Sequence, residues 1–224
     1  MGVVSCDGSA PLVSRGWLAN ARFGATFGTT FASLRFATDD GRKADAELAH
    51  RMTTAFLEWR PIRRLSLSVG LGALVGGRVS IDWPTGVERG ELLPGPLGTA
   101  SVSYLVANEG KVAPFVLVGG QLGVGGERLR LDGAAAAERF TAFDVRVSAT
   151  IGKTFAKRLR PYLSVRAFGG PVLLGERAVG SDRYHLQVAA GLAVVMPRGV
   201  DVFGEIAPGP ERAIALGVGF APGR

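Results

Sequence analysis

The stretch from Leu65 to Ile81, LSLSVGLGALVGGRVSI, decides the fold class of this chain. Apolar residues alternate there with small or polar ones, so that leucine and valine occupy one face and serine and glycine the other. A period of two is typical of a β-strand whose two faces meet different surroundings. The apolar face consists of Leu65, Leu67, Val69, Leu71, Ala73 and Val75.

The same alternation recurs along the whole chain, in segments separated by turn residues. Strands are predicted near residues 16–36, 48–60, 65–81, 97–107, 116–124, 143–151, 163–167, 186–194, 200–206 and 214–220. Strands of about ten residues with one apolar face are typical of barrels that cross a membrane. The sequence therefore predicts an all-β, antiparallel up-and-down transmembrane β-barrel of ten strands, with eight as the alternative, whose apolar side faces lipid.

Composition agrees with one such barrel. The chain has 224 residues, 47% of them hydrophobic, but no run approaches the ~18 apolar residues that a membrane-spanning helix needs. We expect residues 16–220 to form a single transmembrane barrel and 221–224 a short extension. Residues 1–15 lack the pattern of a complete signal peptide, and we expect them to form a flexible N-terminal segment.

The charges favour lipid over nucleic acid. The 26 lysines and arginines outnumber the 19 acidic residues, giving a net charge of +7, but they are scattered and not interleaved with aromatics. We expect contact with outer-membrane lipid and lipopolysaccharide phosphates, and no nucleic acid. Cys6 is the sole cysteine, which excludes an intrachain disulfide, and the apolar segment that lipidation at Cys6 requires does not precede it. With two distant histidines, we expect no metal and no cofactor.

Two features place the ends of the predicted barrel. The connections after the second, fourth, sixth and eighth strands are short, and those after the first, third, fifth and seventh are longer. Outer-membrane barrels show this contrast between periplasmic turns and external loops. At the short-turn end we expect an outward aromatic girdle of Trp17, Trp59, Tyr104 and Phe155.

Together with this pattern, the segments RPYLSVR at 160–166 and ALGVGF at 215–220 resemble those of small bacterial outer-membrane β-barrel proteins. The resemblance covers nearly the whole chain and carries no catalytic motif. It implies an integral location in the bacterial outer membrane. It also implies that the last strand, ending at Phe220 with four residues beyond it, is offered to the barrel-insertion machinery. We expect a monomer.

The inward face is predicted to hold paired charges, because an isolated charge in a narrow lumen is costly. The predicted lumen network comprises Arg22, Glu58, Arg60, Arg78, Asp144, Arg146, Arg166, Asp201 and Glu205. Ten strands enclose little more than side chains. We therefore expect a largely plugged polar lumen with a structural or adhesive role, or a narrow permeation path selective for anions.

Two other functions stay open on the sequence. His50, His185, Asp82 and Asp182 are predicted near the loop end, where they resemble the rim residues of the omptin proteases, although the spacing of Asp182 and His185 departs from that family's pairing. These four residues are the candidates for a surface hydrolase. The third possibility is a soluble barrel that binds an apolar ligand.

Overall fold

The computed structural model describes residues 20–38, 41–176 and 178–222, which form thirteen antiparallel strands. The strands are β1 (Ala21–Ala37), β2 (Lys43–Ile62), β3 (Leu65–Trp83), β4 (Gly86–Leu93), β5 (Gly95–Ala107), β6 (Phe115–Leu131), β7 (Glu138–Gly152), β8 (Leu159–Gly169), β9 (Pro171–Leu174), β10 (Ala178–Asp182), β11 (Leu186–Val195), β12 (Val200–Ala207) and β13 (Arg212–Phe220). A 3-10 turn at Pro197–Gly199 joins β11 to β12. Among the described residues, no helix has the length and apolarity required to cross a membrane.

Ten of these strands close the lower part of a barrel, at the end that carries the β2–β3, β5–β6, β7–β8 and β11–β12 connections. The order is β1-β2-β3-β5-β6-β7-β8-β11-β12-β13, and β13 returns to pair with β1 from Phe23↔Phe220 to Phe31↔Arg212. All pairings are antiparallel. The prediction of an antiparallel ten-stranded barrel is confirmed.

The upper part of the barrel closes with eight strands. Its order is β1-β2-β3-β4-β6-β7-β9-β10, and here β10 pairs with β1 from Leu34↔Asp182 to Ala37↔Val179. The change occurs because the β12–β13 hairpin ends early, at Pro208, Gly209 and Pro210, and proline has no N–H to extend a ladder. The chain from β10 to β11 therefore passes above the hairpin, and the pairing of β10 with β1 closes the upper part of the barrel.

The outer wall changes character along the axis. In the lower part the outward side chains form an apolar band, whereas in the upper part most of them are charged or polar, as Arg35, Glu47 and Arg130 are. The band includes Phe23, Phe27, Phe31, Leu67, Val69, Leu71, Leu122, Val124, Val145, Val147, Leu163, Val165, Val188, Leu192, Val202, Ile206, Ile214, Leu216 and Val218, all of them exposed or nearly so. A continuous apolar exterior of this kind fits lipid and not water. We call the two parts the membrane section and the upper section.

The interior changes in the opposite sense. In the upper section the inward side chains form an apolar core that includes Leu34, Phe36, Leu48, Val79, Ile81, Trp83, Leu129, Phe140 and Leu174. In the membrane section they are mostly polar. The upper section is therefore built like a water-soluble barrel that continues the membrane-embedded one.

A β-bulge at Val75 produces this change of register in β3. Arg51 pairs with Gly76 and Met52 with Leu74, so β3 has one more residue than β2 at this level. Because a single extra residue moves every later side chain to the other face, Arg78 lies on the outer wall and Val79 inside. The expectation that Arg78 belongs to the lumen network is wrong, since it assumed unbroken alternation.

The predicted contrast between short and long connections is also wrong. Residues 82–95, expected to be a long loop, form the end of β3, a tight turn at residues 84–85 and the whole of β4. Residues 175–183 likewise include β10. The upper connections are short because the strands themselves continue beyond the band.

Four inward aromatic rings of the membrane section lie over a glycine of the neighbouring strand. The cross-strand pairs are Phe56 with Gly24, Phe203 with Gly217, Tyr162 with Gly191 and Phe115 with Gly152. A Cβ at any of these glycines would lie 2.2–2.4 Å from the facing ring. Glycine is therefore required at these positions to admit the rings into the narrow lumen.

Candidate functional site: the barrel interior

The lowest layer of the lumen is a charged cluster under aromatic rings. The Arg22 guanidinium donates to Glu58 Oε2 at 3.2 Å and to Asp201 Oδ1 at 2.9 Å. Its Cζ lies 5.1 Å from the centre of the Phe56 ring and 5.5 Å from that of Phe203. The cation is thus paired with two carboxylates and covered by two rings, an arrangement that stabilises it away from water.

Glu58 is the most connected carboxylate in this layer. Arg60 Nε and Ser66 Oγ donate to its Oε1 at 2.9 and 3.0 Å, while Arg22 occupies its Oε2. Phe56, Leu105, Phe115, Tyr162, Ala193 and Phe203 form the apolar layer at this end of the lumen. The aromatic layer and the paired charges together fill the lower end.

A second charged cluster lies higher, between β8, β11 and β12. Arg166 binds Glu205 through both terminal nitrogens, at 2.6 and 2.5 Å, and both side chains are buried. Tyr162 Oη donates to Glu205 Oε2 at 3.1 Å, and Arg166 also contacts Gln187 Oε1 at 3.3 Å. This is a bidentate arginine–carboxylate pair, and the Glu205 carboxylate accepts a further hydrogen bond from Tyr162.

The third cluster holds three carboxylates and one arginine. Arg146 donates to Asp144 Oδ2 at 2.5 Å and to Glu211 Oε1 at 2.9 Å. Asp182, at the end of β10 above the apolar band, is close enough for both carboxylates to act on it. Burial raises the pKa of the Asp182 carboxyl to about 6, and the charges of Glu211 and Asp144 add to this shift.

A cavity of about 120 Å³ lies against this third cluster. Asp144, Arg146, Asp182 and Glu211 form one side, and threonine and serine hydroxyls, including Thr30 and Thr99, line the walls. A smaller space of about 50 Å³ lies below it and shares Ser68, Ser101, Gln121 and Arg146 as lining residues. Phe56 bounds the larger cavity at the lower side and Leu34, Leu48, Phe140 and Val172 at the upper side.

The structure does not assemble the four hydrolase candidates. Asp82 lies on the outer wall, opposite Asp45 of β2, because it follows the Val75 bulge. His50 points inward, where its Nδ1 lies 3.8 Å from Glu127 Oε2. Asp182 lies near His185, whose Nδ1 is 3.1 Å from the Phe168 carbonyl oxygen, and it shares the lining of the cavity with His50. The four candidates therefore do not form one site at the rim, because Asp82 lies on the outer wall and His50 points into the lumen.

The proposed girdle residues fall at the lower end. Trp59, Tyr104 and Phe155 are all exposed there, with Trp59 and Tyr104 outward on β2 and β5 and Phe155 in the β7–β8 connection. Trp17 lies outside the described residues, as do Cys6 and the whole predicted segment 1–15.

Two buried acids were absent from the predicted network. Glu127 continues the inward register of Gln121, Gly123 and Gly125 on β6, so a longer predicted strand would have included it. Glu211 follows the Pro208–Pro210 turn, where no periodicity indicates a direction. Its burial depends on the hairpin tip folding against β11, where Gln187 Nε2 donates to the Glu211 carbonyl oxygen at 3.0 Å.

No family model matches the chain, and no curated protein matches it in sequence. Among solved structures, the outer membrane protease OmpT from Escherichia coli is similar in fold, with a TM-score of 0.55, 9% identity, and coverage of 90% of this chain and 96% of that one. The transport unit of the autotransporter AIDA-I from Escherichia coli has a TM-score of 0.49 at 11% identity, covering 95% of this chain and 92% of its own. The translocator domain of the autotransporter NalP from Neisseria meningitidis has a TM-score of 0.49 at 14% identity, and the match covers 91% of this chain and 89% of that one.

At these identities the likeness concerns the fold alone. It agrees with what the ladders and the apolar band show independently, namely a closed antiparallel barrel with a lipid-compatible exterior. The expected fold is confirmed: this chain folds as a closed antiparallel β-barrel with a lipid-compatible exterior, the fold of outer-membrane barrel proteins.

Proposed function

We propose that this barrel does not conduct and acts as a membrane anchor whose upper section serves a structural or adhesive role outside the hydrophobic layer. The observation that carries the proposal is the filling of the lumen at two levels. The aromatic layer around Phe56 and Phe203 occupies the lower end, and the apolar core around Phe36 and Phe140 occupies the upper section. The polar cavities lie between them.

Conductance in planar bilayers tests the closed lumen. We expect no discrete current steps from the refolded protein, nor from the single-layer variants Phe56→Ala/Phe203→Ala and Phe36→Ala/Phe140→Ala. Heat-modifiable gel mobility serves as the folding control for each. Resolved current steps from the unmodified protein would favour the narrow permeation path instead.

The orientation of the barrel forms part of the same proposal. The upper section has a charged outer wall and tight turns suited to water, so we place it at the cell exterior and the β7–β8 turn in the periplasm. In a Cys6→Ser background, Thr85→Cys should react with an impermeant maleimide on intact cells. Lys157→Cys should react only after the outer membrane is permeabilised, and the opposite pattern would refute the orientation.

Lipopolysaccharide phosphates are the partner we propose for the outer wall just above the apolar band. Arg128 of β6 and Arg139 of β7 are direct cross-strand neighbours and point outward. Like charges in such a pair repel, and among the described residues neither arginine forms an ion pair. An anion between them would relieve the repulsion at the level of the lipid headgroups.

The arginine pair has a matched control at the other end. Arg128→Gln/Arg139→Gln should lose the thermal stabilisation that added lipopolysaccharide gives to the refolded barrel. Arg63→Gln/Arg64→Gln, in the β2–β3 turn, should keep it. Equal losses in both variants would show a general charge effect and no site.

The remaining expectations concern assembly. We propose that the barrel-insertion machinery recognises β13, whose last residue Phe220 is half-exposed and points outward. We also propose that the barrel is a monomer. The closed ten-strand ring supports the monomer, because it leaves no strand edge in the membrane section for a second copy to pair with. Sedimentation in density-matched detergent measures the oligomeric state directly.

A further inference from the structure

The cavity beside the third charged cluster is lined by more acidic than basic side chains. Three carboxylates, those of Asp144, Asp182 and Glu211, face it together with the single guanidinium of Arg146. His50 is the other titratable side chain in the lining. Arg146 binds one oxygen of Asp144 and one of Glu211. The lining therefore carries an excess of negative charge.

Glu211 supplies a second, independent observation. Its side chain is only 6% exposed, and its Oε2 has no hydrogen-bond partner although Oε1 is held by Arg146. A buried carboxylate oxygen without a partner costs free energy unless something donates to it. Because Glu211 lines the cavity, a donor bound there is the candidate partner for this oxygen.

The rest of the lining specifies the shape of that group. The roof of the cavity is formed by Leu34, Leu48, Phe140 and Val172, and the walls carry hydroxyls such as Thr30. The volume of about 120 Å³ is near that of engineered cavities that hold benzene, on the order of 150 Å³. The space thus suits a molecule with a small apolar body and one cationic end.

We propose that this cavity is a binding site for a small organic cation, a primary ammonium on a compact apolar body. The ammonium donates to Glu211 Oε2 and to the Asp182 carboxylate, and the apolar body lies against Phe140 and its neighbours. Asp182 and Asp144 are only partly buried, which leaves the acidic side of the cavity in contact with water and open to the ligand. This inference does not depend on whether the barrel conducts, because the site lies between the two filled layers.

Benzylamine and benzyl alcohol form a matched pair of probes, nearly equal in shape and different in charge. We expect benzylamine at pH 7.5 to raise the unfolding temperature of the refolded barrel in a saturable way, and benzyl alcohol or an equal concentration of sodium chloride to leave it unchanged. Isothermal titration calorimetry on the same protein gives the dissociation constant.

Variants locate the site. Glu211→Gln and Asp182→Asn should each weaken benzylamine binding at least tenfold. Asp82→Asn removes an acid from the outer wall and should bind as the unmodified protein does. If Glu211→Gln fails to fold because Arg146 loses a partner, Asp182→Asn decides the question, since Arg146 donates to Asp144 and Glu211 and not to Asp182.

Three results would overturn the inference. One is the absence of saturable binding, and another is equal stabilisation by benzyl alcohol, which would indicate a merely apolar cavity. The third is unchanged affinity in Asp182→Asn, which would place the amine elsewhere, for example at the detergent surface.

Discussion

At the scale of the residue, the buried pair of Arg166 and Glu205 is the sharpest test of the lumen network. Both side chains are buried and joined by two hydrogen bonds. Arg166→Ala leaves Glu205 charged and uncompensated, so we expect a loss of about 3–5 kcal/mol in the free energy of unfolding. Urea unfolding in detergent measures it, and Arg78→Ala, on the outer wall, should change the value by less than about 0.5 kcal/mol.

Asp182 gives a prediction about pH. The pKa of its carboxyl is about 6 in the folded barrel, above the ordinary value, mainly because of burial. In the unfolded chain the Asp182 carboxyl titrates at about 4. Between this pKa and the pKa of the folded barrel, the folded state therefore binds more protons than the unfolded chain does. This residue therefore lowers stability progressively as the pH rises from about 4 to about 6, and the full penalty applies above pH 6.

Asp182→Asn removes that penalty. At pH 7.5 we expect the variant to be more stable than the unmodified barrel by up to about 2 kcal/mol, a figure discounted because the group is partly exposed. Near pH 4 the difference should vanish. A gain that is the same at both pH values would show that the charge of Asp182 is not its cause.

The residues differ in how far the sequence predicted them. Arg22, Glu58, Arg146, Arg166 and Glu205 all lie on strands with unbroken alternation, and the structure places all of them inside. Arg78 and Asp82 follow a bulge that alternation alone does not reveal, and both lie outside. The sequence did not predict which carboxylate each arginine binds. These pairs depend on which strands are neighbours in the barrel and on the register between them.

At the scale of the element, the Val75 bulge decides which face of upper β3 meets water. In a Cys6→Ser background, we expect Arg78→Cys to react rapidly with a soluble maleimide and Val79→Cys to be protected, because Val79 is 3% exposed in the apolar core. The reverse order would mean that β3 has no bulge in solution and that its upper half is inverted.

The aromatic–glycine pairs are a second property of the elements. Gly191→Ala places a methyl group 2.2 Å from the Tyr162 ring, and we expect a destabilisation of about 1–3 kcal/mol from the forced repacking. Gly126→Ala is the matched control, since nothing lies within 4 Å of a Cβ there and the backbone is extended. Urea titrations of the two variants separate the close approach from a general effect of replacing glycine in a strand.

At the scale of the whole molecule, the closure between β13 and β1 should limit assembly. Phe220 pairs with Phe23 at the foot of that seam and faces outward. We expect Phe220→Ala to slow the appearance of the folded, heat-modifiable form in cells by several-fold, whereas Phe155→Ala, an exposed aromatic of the β7–β8 connection, should not. Normal assembly of Phe220→Ala would remove the support for recognition of the last strand.

The sequence by itself determined that this protein is a β-barrel with a lipid-facing exterior, because alternation with a period of two is a local property that each strand carries on its own. It also determined most of the charges that line the membrane section. Only the tertiary structure decided the upper section, where ten strands become eight, the wall turns polar and the core apolar. These features depend on a one-residue bulge, on a hairpin that stops short and on which strands meet across the ring, and the free energies that select them arise between segments far apart in the chain.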